Sequence, residues 1–238
     1  MAYTTIKLDC KDMEWKEVSK ILTKTCEENK KNKVVIEGFC YDSKIWLNFS
    51  DEKMNEVLEE VDFVDKKEMT FQIFGKTLLL PRRKAFYGDV TADGAAPMYR
   101  YTGGYIPSVK PWTKTLEKIR DSITDVVGQR CNHLVVNLYE GGSNHISYHR
   151  DKERDFVKDS RVLTVSLGDE RMFGIKENSS KQTIRFRLPT GSIFDLGAVT
   201  NSLCKHSILK EKSNRNRLSL TYRSIATMVD KNGKIVKV

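Results

Sequence analysis

HLVVNLYEGGSNHISYHRD, residues 133–151, is where the chain changes its period. Leu134, Val136 and Leu138 alternate with Val135, Asn137 and Tyr139, so an extended segment has one apolar face and one hydrogen-bonding face. Beyond Gly141-Gly142 a second extended run, 146–150, carries His149 and leads into Asp151. The same period recurs near 161–167, 183–188, 192–196, 203–208 and 216–224, broken by Gly, Asn and Ser turns. Many short strands behind a helical N-terminal half predict an α+β protein built on an antiparallel sandwich or jelly-roll.

Upstream the spacing is helical. Trp15, Val18, Ile21, Leu22 and Cys26 form a stripe over 14–29, and Leu116, Ile119, Ile123 and Val126 form another over 113–127, with Thr113 as its cap. Ser50 and Asp51 cap a third helix near 51–61, after a short strand from Ile45 to Phe49. Met69 to Leu80 reads as a hairpin turning at Phe74-Gly75-Lys76, and 174–182 as a loop.

Composition narrows the partners. Lys plus Arg number 41 against 32 acidic residues, a net charge of +9, which points to nucleic acid first and an anionic membrane second, with a merely basic surface as an equal alternative on composition alone. The five cysteines (10, 26, 40, 131 and 204) are scattered without a CxxC, so free thiols are expected rather than a disulfide frame or a zinc site. No apolar leader and no 18-residue apolar run is present, so an intracellular, soluble protein without a membrane partner is expected.

His149 and Asp151, two apart in a strand, project together while Arg150 points away. His206, 57 positions later, can complete a set of two imidazoles and one carboxylate. Such a set leaves three metal positions open, which Fe(II) uses for a bidentate cosubstrate and O2; zinc could use the same donors. An H-x-D triplet alone is weak, because most are surface polar residues. RLSLTYR (217–223) puts Arg217, Ser219, Thr221 and Arg223 on one face and Leu218, Leu220 and Tyr222 on the other. A solvent-facing strand looks the same. A guanidinium fork pairs with a carboxylate, however, and 2-oxoglutarate has two. Arg217 suits the distal one, supported by Asn137 and Tyr139; Arg223 lies nearer the metal, against the proximal carboxylate or Asp151.

In this order, N-x-Y, H-x-D, H and R-x5-R resemble the AlkB family of Fe(II)/2-oxoglutarate dioxygenases. PRRKAFYGD (81–89), YRYTGG (99–104), KPW (110–112) and VVNLYEGGSNHISYHRDKE (135–153) resemble the branch that repairs double-stranded DNA. The resemblance covers about 44–225 and implies a double-stranded β-helix (jelly-roll) with helices and a nucleotide-recognition hairpin on its N-terminal side. It implies Fe(II) on His149, Asp151 and His206, and 2-oxoglutarate on Asn137, Tyr139, Arg217, Thr221 and Arg223, with O2 as co-reactant. Tyr101 and His149 would stack on a flipped base, Tyr99 would line its pocket, and Glu153 would sit near the exocyclic amine. Ile73-Phe74-Gly75 matches the finger that enters the duplex. Arg82, Arg83, Lys84, Lys110, Lys210, Lys212 and Arg215 are candidate phosphate contacts. GIKENSSKQ (174–182) is shorter and less basic than its counterpart in that branch.

The implied activity is oxidative demethylation of 1-methyladenine and 3-methylcytosine in DNA by direct reversal, releasing formaldehyde, succinate and CO2. Double-stranded DNA is favoured over single-stranded DNA or RNA. The alternatives are an RNA demethylase of the same family and a catalytically silent nucleic-acid-binding homologue. A monomer is expected, with the nucleus favoured as its compartment and the cytoplasm as the alternative. Residues 1–43 form an N-terminal extension, 44–225 the dioxygenase domain (nucleotide recognition about 69–112, catalytic core about 133–225) and 226–238 a tail.

Overall fold

The computed structural model describes residues 4–8, 34–38, 43–46, 49, 51–73, 76–101, 106–179, 181 and 183–236. The helix expected over 14–29 and the hairpin tip Phe74-Gly75 lie outside them.

β1 (Thr4–Leu8) and β2 (Val34–Gly38) form a parallel pair of their own. β3 (Ser43–Trp46) leads to α1 (Asp51–Glu60), and β4 (Thr70–Ile73) with β5 (Lys76–Leu79) makes the expected hairpin. β6 (Arg83–Gly88), β7 (Ala96–Pro97) and β8 (Lys110–Pro111) precede α2 (Lys114–Val127). Then come β9 (His133–Tyr139), β10 (Ile146–His149), β11 (Val162–Gly168), β12 (Arg171–Glu177), β13 (Thr183–Leu188) and β14 (Ser192–Leu196). α3 (Ala198–Leu203) runs straight into β15 (Cys204–Ile208), followed by β16 (Arg217–Arg223), β17 (Met228–Val229) and β18 (Ile235–Val236).

Two sheets make the jelly-roll. The larger has the order β3-β14-β11-β16-β9-β6-β8, the smaller β10-β15-β12-β13. Strand alternation gives the larger sheet two characters. Leu134, Val136, Leu138, Leu218, Leu220 and Tyr222 turn outward into one core with Met54 and Val57 of α1 and Leu116, Ile119 and Ile123 of α2. Each such side chain contributes about 1.5–3 kcal/mol by leaving water. α2 starts where Thr113 accepts a hydrogen bond from the Leu116 N–H at 3.3 Å and stops at Gly128, whose φ of 73° suits a residue without Cβ. The opposite face of the larger sheet turns toward the smaller one and leaves a cavity of about 670 Å3 between them.

Two strands differ from the sequence expectation. The loop expected over 174–182 is β12 as far as Glu177, because Phe173 and Ile175 face the core while Gly174 and Lys176 hide the alternation. PRRKAFYGD contains β6, an interior strand of the larger sheet beside β9. The segment 226–238 adds β17 and β18 to β7, with Met228 buried. No helix among the described residues is long and apolar enough to cross a membrane.

Candidate active site

β10 and β15 pair antiparallel with His149 directly opposite His206. That register sets the two rings 4.3 Å apart, centroid to centroid. Asp151 follows β10, and one donor atom from each of His149, Asp151 and His206 lies within 4.8 Å of the others. His149 Nδ1 sits 3.0 Å from the Ser147 carbonyl, which takes an N–H and leaves Nε2 as the lone-pair nitrogen. Burial lowers the His149 pKa; burial and then His149 push His206 down to about 3. Both rings are therefore neutral donors at pH 7.

Asp151 is the opposite case. Burial raises its pKa, but the Arg223 guanidinium, with Nη2 at 3.0 Å, and the two imidazoles outweigh burial and hold it well below the usual carboxylate range. Two neutral nitrogens and one permanent carboxylate are a donor set that fits a divalent transition metal with open positions.

One amide ties this set together. Asn201 of α3 accepts from the Asp151 N–H at 3.0 Å and donates to the Asp151 carbonyl at 3.0 Å and to Glu153 at 2.6 Å. α3 leads directly to His206, so Asn201 joins the two segments that carry the donors. No signal in the sequence singles it out. Tyr99 adds a hydroxyl 3.3 Å from Asp151 Oδ1.

Along the same cavity β16 pairs with β9, Arg217 opposite Tyr139 and Ser219 opposite Asn137. Arg217 is entirely buried. Its Nη2 donates to Ser166 Oγ at 2.9 Å; Nε and Nη1 have no hydrogen-bond partner among the described residues, and no carboxylate pairs with it there. Burial draws its pKa down to about 10, so it stays charged at pH 7. An orphaned guanidinium edge lining a cavity fits an incoming carboxylate. Arg223 is engaged with Asp151, and Thr221 lines the cavity between the two arginines.

The far wall is aromatic. Tyr99 and Tyr101 meet edge to face at 4.7 Å, and the Lys84 amine lies over the Tyr101 ring, 4.4 Å from its centroid. Glu153 does not line the cavity. β10 ends at His149, and Glu153 opens a 3-10 turn (Glu153–Asp155), which breaks the alternation that would have kept it beside Asp151.

The basic residues divide. Arg82 and Lys84 are buried cavity residues, because alternate positions of this segment face inward while Ala85 and Tyr87 join the outer core. Both were expected as phosphate contacts, and here they line the cavity. Arg83 lies over the Phe63 ring, Lys110 pairs with Asp62, and Arg215 pairs with Asp51 at 3.2 Å. Lys210 and Lys212 are exposed with no ion pair among the described residues. Of the finger only the backbone pairing of Ile73 with Lys76 is described.

Residues 34–223 match the 2OG-Fe(II) oxygenase superfamily model. The chain is 32% identical over 185 residues to the mouse DNA oxidative demethylase ALKBH2, covering 74% of this chain and 75% of that protein. It is 34% identical over 185 residues to the human protein of that name, covering 74% and 69%, and 27% identical over 174 residues to the Arabidopsis thaliana one, covering 70% and 51%. The chain thus belongs to the AlkB family of the 2OG-Fe(II) oxygenase superfamily, near ALKBH2, and is a dioxygenase that uses Fe(II), 2-oxoglutarate and O2.

Proposed function

We propose that this chain removes N-methyl groups from bases in DNA, with His149, Asp151 and His206 holding iron and Asn137, Tyr139, Arg217, Thr221 and Arg223 holding 2-oxoglutarate. The observation that carries the proposal is the orphaned Arg217 edge in the same cavity as the three converging donors. The relatives' names supply DNA as the substrate class. When bound, the iron centre would supply oxidation of the N-methyl carbon by O2 coupled to decarboxylation of 2-oxoglutarate, one oxygen atom passing to succinate as CO2 leaves and the other to the hydroxymethyl group, which departs as formaldehyde.

The protein's part is positioning. Arg223 keeps Asp151 ionised, Ser147 sets the His149 tautomer, and Arg217 pairs with the distal carboxylate. Tyr101 and His149 stack on the flipped base, with Tyr99 beside it. 1-Methyladenine and 3-methylcytosine have already lost their Watson–Crick pairing, so extruding them from a duplex costs least. Phe74, between β4 and β5 in the sequence, fills the gap in the stack, and Lys210 and Lys212 face the backbone phosphates. A duplex-DNA enzyme of this kind works inside the cell, in the nucleus of a eukaryote, as a monomer with one site per chain.

The test is mass spectrometry of methylated single- and double-stranded DNA and RNA oligonucleotides incubated in parallel with iron, 2-oxoglutarate and ascorbate. The expected result is loss of methyl groups from DNA, abolished by His149→Ala or Asp151→Ala in folded protein. Turnover of RNA alone, or full turnover by either variant, would reject the proposal. Phe74→Ala should harm duplex substrates more than single strands.

A further inference from the structure

We infer that Arg82 is a positioning residue for the cosubstrate: its guanidinium decides which end of the Asn137 side-chain amide faces the cavity. The inference rests on the proposal above that Asn137 contacts 2-oxoglutarate. Arg82 is 6% exposed, has no carboxylate partner among the described residues, and donates from Nε to Asn137 Oδ1 at 3.0 Å. Its Nη1 reaches the His145 carbonyl at 3.4 Å. A cation placed to grip a phosphate would hold its donors toward solvent; these are turned inward.

The chemistry of the pair leaves one arrangement. A side-chain amide has an acceptor end and a donor end, and a half-turn exchanges them. A guanidinium has donors only, so the end that faces it is the oxygen. With Oδ1 engaged, the Nδ2 hydrogens are left for the cavity that Asn137 lines. Both a carboxylate and a keto group offer acceptors alone, so an amide turned the other way would set oxygen against oxygen. Asn137 stands opposite Ser219 and Arg217 is two residues along the same strand, so the amide and the orphaned guanidinium edge share one face of the larger sheet. Arg82 thereby acts on the cosubstrate through Asn137, without touching it.

Calorimetric titration of 2-oxoglutarate into the full chain loaded with Mn(II) tests this without turnover. Arg82→Met should weaken 2-oxoglutarate about tenfold, the worth of one hydrogen bond to a charged group. In an Asn137→Ala background the same change should cost less than about twofold, because the amide it orients is gone. Arg82→Lys, still donor-only, should keep the affinity within about threefold, whereas Arg82→Gln, able to present its own oxygen, should lose it. That second pair carries the test if the Met variant does not fold. Unchanged 2-oxoglutarate affinity in Arg82→Met, together with weaker oligonucleotide binding and a shallower salt dependence, would make Arg82 a phosphate contact and overturn the inference. If Asn137→Ala binds 2-oxoglutarate as the parent does, the assignment of Asn137 falls and the inference with it. If Asn137→Ala is weak and Arg82→Met is not, the inference alone falls.

Discussion

Arg217 should cost the ligand-free protein stability that its ligand returns. Its guanidinium is fully buried, makes one hydrogen bond among the described residues, to Ser166, and has the Arg171 cation among its charged neighbours. Burial draws its pKa from the ordinary 12.5 to about 10, which corresponds to about 3 kcal/mol of lost stability. The sign is fixed by the group being cationic: below pH 10 it remains charged in the fold, so the whole cost is present at pH 7. Arg217→Met removes the charge and also one hydrogen bond worth about 1 kcal/mol, so the ligand-free variant should be about 2 kcal/mol more stable than the parent. Mn(II) with 2-oxoglutarate at a hundred times its Kd should then stabilise the parent by about 2.7 kcal/mol and the variant far less, reversing their order. Urea unfolding at neutral pH, with and without the two ligands, measures both quantities. A less stable ligand-free variant, or an equal gain from 2-oxoglutarate in both proteins, would refute an unpaired cation waiting for a carboxylate.

Three further outcomes follow from buried charge. Burial, then Arg82 and Arg223, hold the Lys84 pKa well below the usual lysine value. The unfolded chain therefore keeps this proton longer than the fold does, and stability should rise with pH from the folded pKa up to about 10.4. Thermal melts across that range should show a rise that Lys84→Met flattens. Arg223→Met strands the Asp151 carboxylate and should lower stability by about 3 kcal/mol or more, with Mn(II) restoring part of it; a melt that Mn(II) leaves unmoved would contradict the shared role of Asp151. Asp155 is buried beside Arg100, whose Nε donates to it at 3.0 Å; burial raises its pKa, but the hydrogen bonds from Arg100 outweigh this and hold it below the usual range. That pair should stabilise the fold above the unfolded carboxyl pKa of about 3.9 and lose its effect as pH falls through the lower folded value, so Arg100→Met should narrow the gap between melts at neutral and acid pH.

The elements visible in the sequence were those whose side-chain polarity is periodic. β9, β11 and β16 turn most of their apolar residues onto one face, and α2 carries both its stripe and its cap, so pattern and structure agree almost to the residue. β6 escaped because a charged side chain occupies an inward position, Lys84 opposite Asn137, and β12 because Gly174 and Lys176 hide its alternation and its first residue is Arg171, which donates to the carbonyls of Gly141, Gly142, Asn144 and Leu209. A pattern that equates charge with solvent cannot find a strand whose cations face a cavity or cap loop carbonyls. His149, Asp151 and His206 were legible from residue type and order, whereas the clasp by Asn201 and the turn that takes Glu153 away depend on pairings that only the folded chain creates.

The Asn201 clasp has a toxicological corollary. Because one carboxamide already couples the peptide at 151 to the element entering His206, capturing an ion freezes little additional backbone, and two imidazoles with one carboxylate take cobalt and nickel more tightly than ferrous iron. Nickel and cobalt should lodge there as competitive poisons, and washing with a chelator followed by fresh ferrous salt should revive the enzyme.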